Sequence, residues 1–446
     1  MKNRYLPVFA SFSLLCAPFI STAEDQDHEH SVETDEDVFE YHPGQVDWIT
    51  GEGVNAGGFI FPELFVIGTG GLFQPGVEAT DLATTEHDPQ NDIGIQTIEL
   101  HLEIDINDRI TGGIYGAGFQ GEDEWEANLE EYYLHYWLTD EIGIGGGQFL
   151  NAFGFQATKH AHGWDFVNQN LINSRMLNEG ELITQGGELL FNVPSLDGLL
   201  SLGGGGVRTH AHDEHGHGHG EEEEEHDHDE LAHHEEEDHH DEDEEDHHEE
   251  EEHHDEEGHG LEADDANFNN WVFSTDYKFG LPFDDGLTGS VSIATGENGF
   301  GRQTYVYGFG FEKVWNGHDH GSGPEFCTEA LMLRSEFIGR EIKAVDDTGR
   351  EINFDDYGVS TALFYGLSDN TTVSFRHDWV SDLAGLGLED RHRISPAITT
   401  FLDKNQRIRA RLQYDYNHSD SLPNEHAAWL QIQIAWGGEG GAHHHH

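Results

Sequence analysis

Ile98-Glu99-Leu100-His101-Leu102-Glu103-Ile104-Asp105-Ile106 is the stretch that decides the fold. Apolar residues alternate with acidic or imidazole residues without a break. This is the period of a β-strand with one apolar and one polar face. In a soluble sandwich the polar face would meet bulk water; in a membrane barrel the apolar face meets lipid and the polar face lines the lumen. Asn107-Asp108 makes a tight turn, and residues 109–119 return.

The hairpin pattern repeats outward from there. Residues 129–138 turn into 142–149, and 183–193 into 199–207. Residues 271–279 turn into 287–295, followed by 304–315 and 327–338. Residues 356–367 turn into 371–380, and 391–402 into 407–416; residues 428–436 close the series. With residues 58–68 as the first, the count reaches about 16 strands, an even number within the range of bacterial barrels. The expected fold class is all-β: a transmembrane antiparallel β-barrel carrying a long disordered His/Asp/Glu-rich extracellular loop.

Connection lengths orient this barrel. Short turns fall near Asn107, Thr139, Pro194, Pro282, Ser368 and Asp403, with residues 316–326 the longest of that phase. Long connections cover residues 69–92, 150–182, 208–267 and 339–355. Outer-membrane barrels keep short turns in the periplasm and long loops outside. The barrel is expected over residues 57–436, with the 208–267 insertion outside the cell. The Gly/His-rich tail 437–446, ending in His443 to His446, falls in the periplasm.

Residues 1–23 read as a secretory signal peptide, with Lys2 and Arg4 before an apolar core and Ser21-Thr22-Ala23 at the cleavage site. A lipoprotein signal at Cys16 is disfavoured by the bulky Leu15. Residues 24–56 form an acidic flexible N-terminus, too short for the plug of a receptor barrel of about 22 strands.

The formal net charge is −69 over 446 residues. Residues 213–257 hold 27 acids and no bases, so the remainder still carries −69 + 27 = −42. Such a surface excludes nucleic acid as a partner and favours cations. The inserted loop also has a definite chemistry. His210, His212, His215, His217, His219, His226 and His228 are spaced by one residue or a few. His233-His234, His239-His240, His247-His248 and His253-His254 are pairs among carboxylates, and His259 closes the run. The segment cannot bury enough apolar surface to offset its ordering entropy. Neutral imidazole and carboxylate are ligands for borderline divalent metals, Zn2+ first, with Cu2+ and Ni2+ also fitting. Binding should fade below about pH 6.5, where imidazole protonates. A solvated acidic loop without a metal role is the plainer alternative.

Glu130-Glu131-Tyr132-Tyr133-Leu134 and Gly147-Gln148-Phe149 precede Phe153-Gly154-Phe155 and His160-Ala161-His162-Gly163-Trp164-Asp165-Phe166-Val167. On these motifs the chain resembles Gram-negative porin-like barrels, and residues 149–190 are similar to a zinc-associated porin-like subfamily. The resemblance implies a pore in outer-membrane lipid, a third loop folded inward and a homotrimer. Phosphate-selective porins rely on lumenal Lys clusters, which this chain lacks, so anion selectivity does not carry over. If the third loop folds inward, His160, His162 and Asp165 become candidate metal contacts at the constriction. Glu99, His101, Glu103 and Asp105 would line the pore opposite Arg334, Arg376, Arg407, Arg409 and Arg411, setting a transverse field. The alternative is that the arginines merely neutralise inward acids.

The sequence holds no G-x-S-x-G, no H-E-x-x-H and no phosphate-cradling loop, so no enzyme is expected. The expected function is a porin-like channel aiding passive uptake of divalent metal, zinc foremost, with the His-rich loop capturing metal at the mouth. A barrel-anchored metal-sequestering surface protein and a general diffusion porin with an incidental loop are the rivals.

Overall fold

The computed structural model describes residues 59–107, 109–120, 125–208, 261, 263–280, 286–317, 326–345 and 348–437. They form sixteen antiparallel strands closed into one barrel. The first eight are β1 (Phe59–Phe73), β2 (Ile93–Asn107), β3 (Ile110–Gln120), β4 (Trp125–Trp137), β5 (Ile142–Leu150), β6 (Ile183–Val193), β7 (Gly198–Val207) and β8 (Phe268–Gly280). The others are β9 (Leu287–Asn298), β10 (Gln303–Trp315), β11 (Leu331–Val345), β12 (Glu351–Ser368), β13 (Thr371–Val380), β14 (Arg391–Phe401), β15 (Ile408–His418) and β16 (Glu425–Gly437). Each strand pairs with its neighbours in sequence, and β1 pairs with β16 from Glu63↔Gly437 to Phe73↔Ala427. Two short helices lie in connections: α1 (Ala79–Leu82) and α2 (Leu171–Met176).

The alternation seen in the sequence turns the barrel inside out. Along β13, Thr372, Ser374, Arg376 and Asp378 are buried while Phe375 is exposed. Along β15, Arg409, Arg411, Gln413, Asp415 and Asn417 are buried, and Leu412 and Tyr414 face out. Leu100, Leu134, Phe273, Ile293, Phe309 and Leu430 continue the apolar exterior. Tyr136, Trp315, Tyr365 and Trp436 sit on it towards the end that carries the short turns. Lipid solvates such an exterior, and closure leaves no unpaired strand edge within it.

Several boundaries differ from the expectation. β1 runs on to Phe73, which shortens the expected 69–92 connection, and β2 starts at Ile93 rather than Ile98. Residues 339–355 are mostly not a long loop: β11 and β12 stay paired from Gly339↔Tyr357 to Val345↔Glu351. Arg340, Ile342 and Ala344 bury alternate positions there, a period-two pattern that the charged neighbours obscure. Cys327 lies before β11, not in it. The signal peptide, the acidic N-terminus, the tail 438–446 and nearly all of the His-rich insertion lie outside the described residues. The insertion leaves the barrel after β7, at the same end as the long 151–182 connection.

That connection, the third loop, positions everything that follows. It folds into the lumen rather than away from it. Phe153, Leu171, Ile172 and Met176 pack against the inward-facing Val272, Val306, Ile338 and Val380. The main hydrophobic core therefore lies inside the barrel, between the loop and one arc of wall. Asn170 caps α2 by accepting the Asn173 N–H at 2.8 Å. Gly154 adopts φ +63°, and its N–H donates to both Asp276 Oδ1 and Ser292 Oγ at 3.0 Å. A Cβ at this glycine would strike the Glu336 carboxylate.

Candidate functional site

The lumen has two unlike arcs, with the third loop held between them. On the β11–β16 arc, arginines grip the loop's backbone. Arg376 donates to the Asn168 carbonyl at 2.9 Å and ion-pairs with Asp378 at 3.0 Å. Arg409 donates to the His162 carbonyl at 2.6 Å, and Arg411 to the Trp164 carbonyl at 2.7 Å. Arg393 donates to the Gln169 and Leu82 carbonyls. Arg334 bridges Glu312 and Asp165 at 2.7 and 2.5 Å. Carbonyls of an irregular segment have no ladder partner, and a guanidinium supplies several fixed donors to each cluster of them.

The expectation of an arginine wall facing an open lumen is corrected here. Arg376, Arg409 and Arg411 are buried against the loop and hydrogen-bonded to it, so they do not present free charge to a passing solute. Arg407 precedes β15, and its carbonyl accepts the Ala435 N–H. Simple neutralisation describes Arg334 with Asp165, but not the carbonyl contacts of Arg409 and Arg411. Asp165 is likewise committed, to Lys159 at 3.0 Å and to Arg334. Burial alone would raise its pKa, yet these two cations hold it well below the usual carboxylate range. A carboxylate shared by two cations is a poor metal ligand.

On the β2–β6 arc the loop meets imidazoles and carboxylates. Register sets Glu99, His101, Glu103 and Asp105 on one face of β2, with Tyr115 beside His101. His162 leans onto them: its Nδ1 lies 2.6 Å from Glu99 Oε2, its N–H donates to Glu99 Oε1, and its ring stacks on Phe65 at 4.1 Å. His101 Nε2 lies 3.4 Å from the same Glu99 Oε2. Glu103 accepts from the Tyr115 hydroxyl at 3.3 Å, and Asp105 is exposed.

A second group adjoins the first. His160 places Nδ1 3.0 Å from Glu130 and Nε2 3.5 Å from Glu131. His87, from the connection before β2, sets Nε2 3.0 Å from the same Glu130. Burial pulls the pKa of His160 down, but Glu130 and Glu131 more than reverse this and raise it well above the ordinary value. His87 behaves alike, burial being overcome by Glu130. Burial pushes Glu181 the other way for an acid, up to about 8. The His101 and His160 rings lie 5.3 Å apart, so the two groups are contiguous. Further towards the short turns, His135 meets Glu188 at 2.5 Å across β5. Only a glycine fits between them, since a Cβ at Gly145 would come within 2.4 Å of the His135 ring.

His160 and His162 thus reach the β2–β6 arc, where Glu130 pairs with the first and Glu99 with the second, and His101 lies beside both. The candidate ligands His210 to His259 lie outside the described residues. Sequence reading missed His87, Glu130, Glu131, His135 and Glu188. The alternation Glu131-Tyr133-His135 did carry a signal, because all three share a strand face. His87 sits in an irregular connection and carried none.

The barrel aligns with solved outer-membrane channels. The outer membrane channel DcaP of Acinetobacter baumannii matches with a TM-score of 0.52 at 8% identity, covering 85% of this chain and 98% of that one. What the two share is the fold, a closed antiparallel barrel of the porin type. The anion-selective porin from Comamonas acidovorans also matches, at a TM-score of 0.49 and 10% identity, over 85% of this chain and 100% of the other. No family model and no curated protein matches the sequence. Closure of sixteen strands and the apolar exterior place this porin-type barrel in the outer membrane.

Proposed function

We propose that this barrel is an outer-membrane channel for divalent metal cations, zinc foremost, and that the His-rich insertion after β7 gathers the cation at its mouth. The observation that carries the reading is the division of the lumen. The arginines are occupied by the loop backbone, whereas the opposite arc offers His101, His160, His162 and His135, each beside a glutamate. A passage lined this way attracts cations and offers ligands of the borderline class. Its net charge supports the same direction.

A second reading has a specific observation in its favour. The third loop packs against walls from Phe65 on β1, through Val272, Val306, Ile338 and Val380, to Trp429 on β16. A barrel that only anchors a metal-gathering surface segment would be built so. Zinc entry into liposomes separates the two, using the intact protein and a form lacking residues 209–260, at low micromolar metal. The channel reading expects entry with both forms, and faster entry with the intact protein when zinc is scarce. Zinc held by the protein without entry supports the anchor. Equal entry by both forms removes the capture role of the insertion.

A further inference from the structure

We propose that Glu99, His101 and His162 form a divalent metal site inside the barrel, with its remaining coordination positions open to water or to the next ligand along the wall. The proposal deepens the channel reading and rests on it for the identity of the cation.

One ligand atom from each of the three lies within 4.8 Å of the others. Glu99 Oε2 stands between the two rings, 2.6 Å from His162 Nδ1 and 3.4 Å from His101 Nε2. Zinc bonds of about 2.0–2.1 Å place tetrahedral ligands roughly 3.4 Å apart, so closing on an ion asks for side-chain adjustment alone. Two imidazoles and one carboxylate are a ligand set of zinc sites that keep their fourth position open to an exchanging ligand. Two nitrogen ligands disfavour Mg2+ and Ca2+, which take oxygen.

A plain hydrogen-bonded lining accounts for part of this cluster and fails at one atom. Glu99 is satisfied by the His162 ring and N–H. His101 is 3% exposed, yet its Nε2 makes no hydrogen bond and points at Glu99. A buried nitrogen met only by a long contact to a carboxylate is costly, and a cation held with Glu99 gives it a direct bond. The surroundings hold the rings in place: His162 stacks on Phe65, and His101 meets Tyr115 at 4.5 Å. The site also spans two elements. Glu99 and His101 belong to the wall and His162 to the loop, whose carbonyl at this residue is fixed by Arg409. His160, with its ring 6.2 Å from that of His162, is the next imidazole an ion would meet.

Crystals of the full-length protein soaked in zinc chloride test this, with diffraction measured on both sides of the zinc absorption edge. The expected result is an anomalous peak bonded to Glu99 Oε2, His101 Nε2 and His162 Nδ1. The same soak on His101→Ala should lose that peak while the loop stays in place in the same maps. No peak at this point in the unaltered protein overturns the site, whatever the variant does. A peak that survives His101→Ala overturns the three-ligand assignment. Zinc entry into liposomes without the peak sinks the site and leaves the channel reading standing. The peak without entry does the reverse.

Discussion

The two arcs of the lumen hold the same loop by opposite chemistry. From β11 to β16 the loop is fixed by cations that donate to its carbonyls, as Arg411 does to Trp164 and Arg393 to Gln169. From β2 to β6 it meets acids and imidazoles that pair with each other, as Glu99 does with His162 and Glu130 with His160. The first set is committed to the loop backbone. The second set keeps ligand atoms that a cation could use. One arc holds the loop; the other is where chemistry remains available.

The largest effect should come from breaking the holding arc. Arg409→Ala with Arg411→Ala removes donors to the His162 and Trp164 carbonyls and to Gln431 and Gln433. Hydrogen bonds to charged groups contribute about 1.5–3 kcal/mol each, so a loss on the order of 5 kcal/mol is expected. Conductance in planar bilayers should rise severalfold and the unfolding temperature should fall. A double variant with unchanged conductance would show that these arginines do not hold the loop in the passage.

Next in size is the loss of a ligand on the other arc. Glu99→Gln keeps the shape and removes the charge. Zinc entry into liposomes should fall by at least about tenfold, since even partners outside the ligand shell cost 10–100-fold. The unfolding temperature should move less than in the arginine variant. Equal damage to entry and stability would make Glu99 a structural acid and erase the contrast between arcs.

Much of this contrast was beyond the sequence. The strands were legible because period two is local: Ile98 to Ile106 carries its whole pattern in nine residues. The inward face of Glu99, His101 and Glu103 followed from the same period. The arginine contacts did not, because a guanidinium that binds a carbonyl leaves no mark on the residue it binds. Trp164 and Gln169 could have been any residues with a peptide oxygen. His87 joins Glu130 only after the barrel has closed and the loops have packed, a contact across 43 positions of chain.

A smaller, pH-dependent effect sharpens the comparison. His160 has its pKa raised by Glu130 and Glu131 against the pull of burial. The stability its protonated form contributes is fully present below the unfolded value of about 6.5 and is lost as pH climbs through the raised one. The gap in unfolding temperature between the unaltered protein and His160→Gln should therefore be widest near pH 6 and shrink as the pH is raised from there. A gap that widened with pH would reverse the sign of the pairing. The smallest effect belongs to His135, away from the loop and paired with Glu188. His135→Ala should shift the reversal potential in a KCl gradient slightly further towards cations, by a few millivolts, because it bares one carboxylate. An unchanged reversal potential would place Glu188 out of the ions' path.

The backbone contacts of the third loop have a mechanical consequence. The segment is tied to the wall strands at Leu171, Gln169, Asn168, Trp164 and His162, points spread along its length. In the proposed channel it would work as a fixed sieve and not as a swinging door. Throughput then depends on how long each ion dwells on the wall, and so should level off at high cation concentration instead of growing in proportion to it.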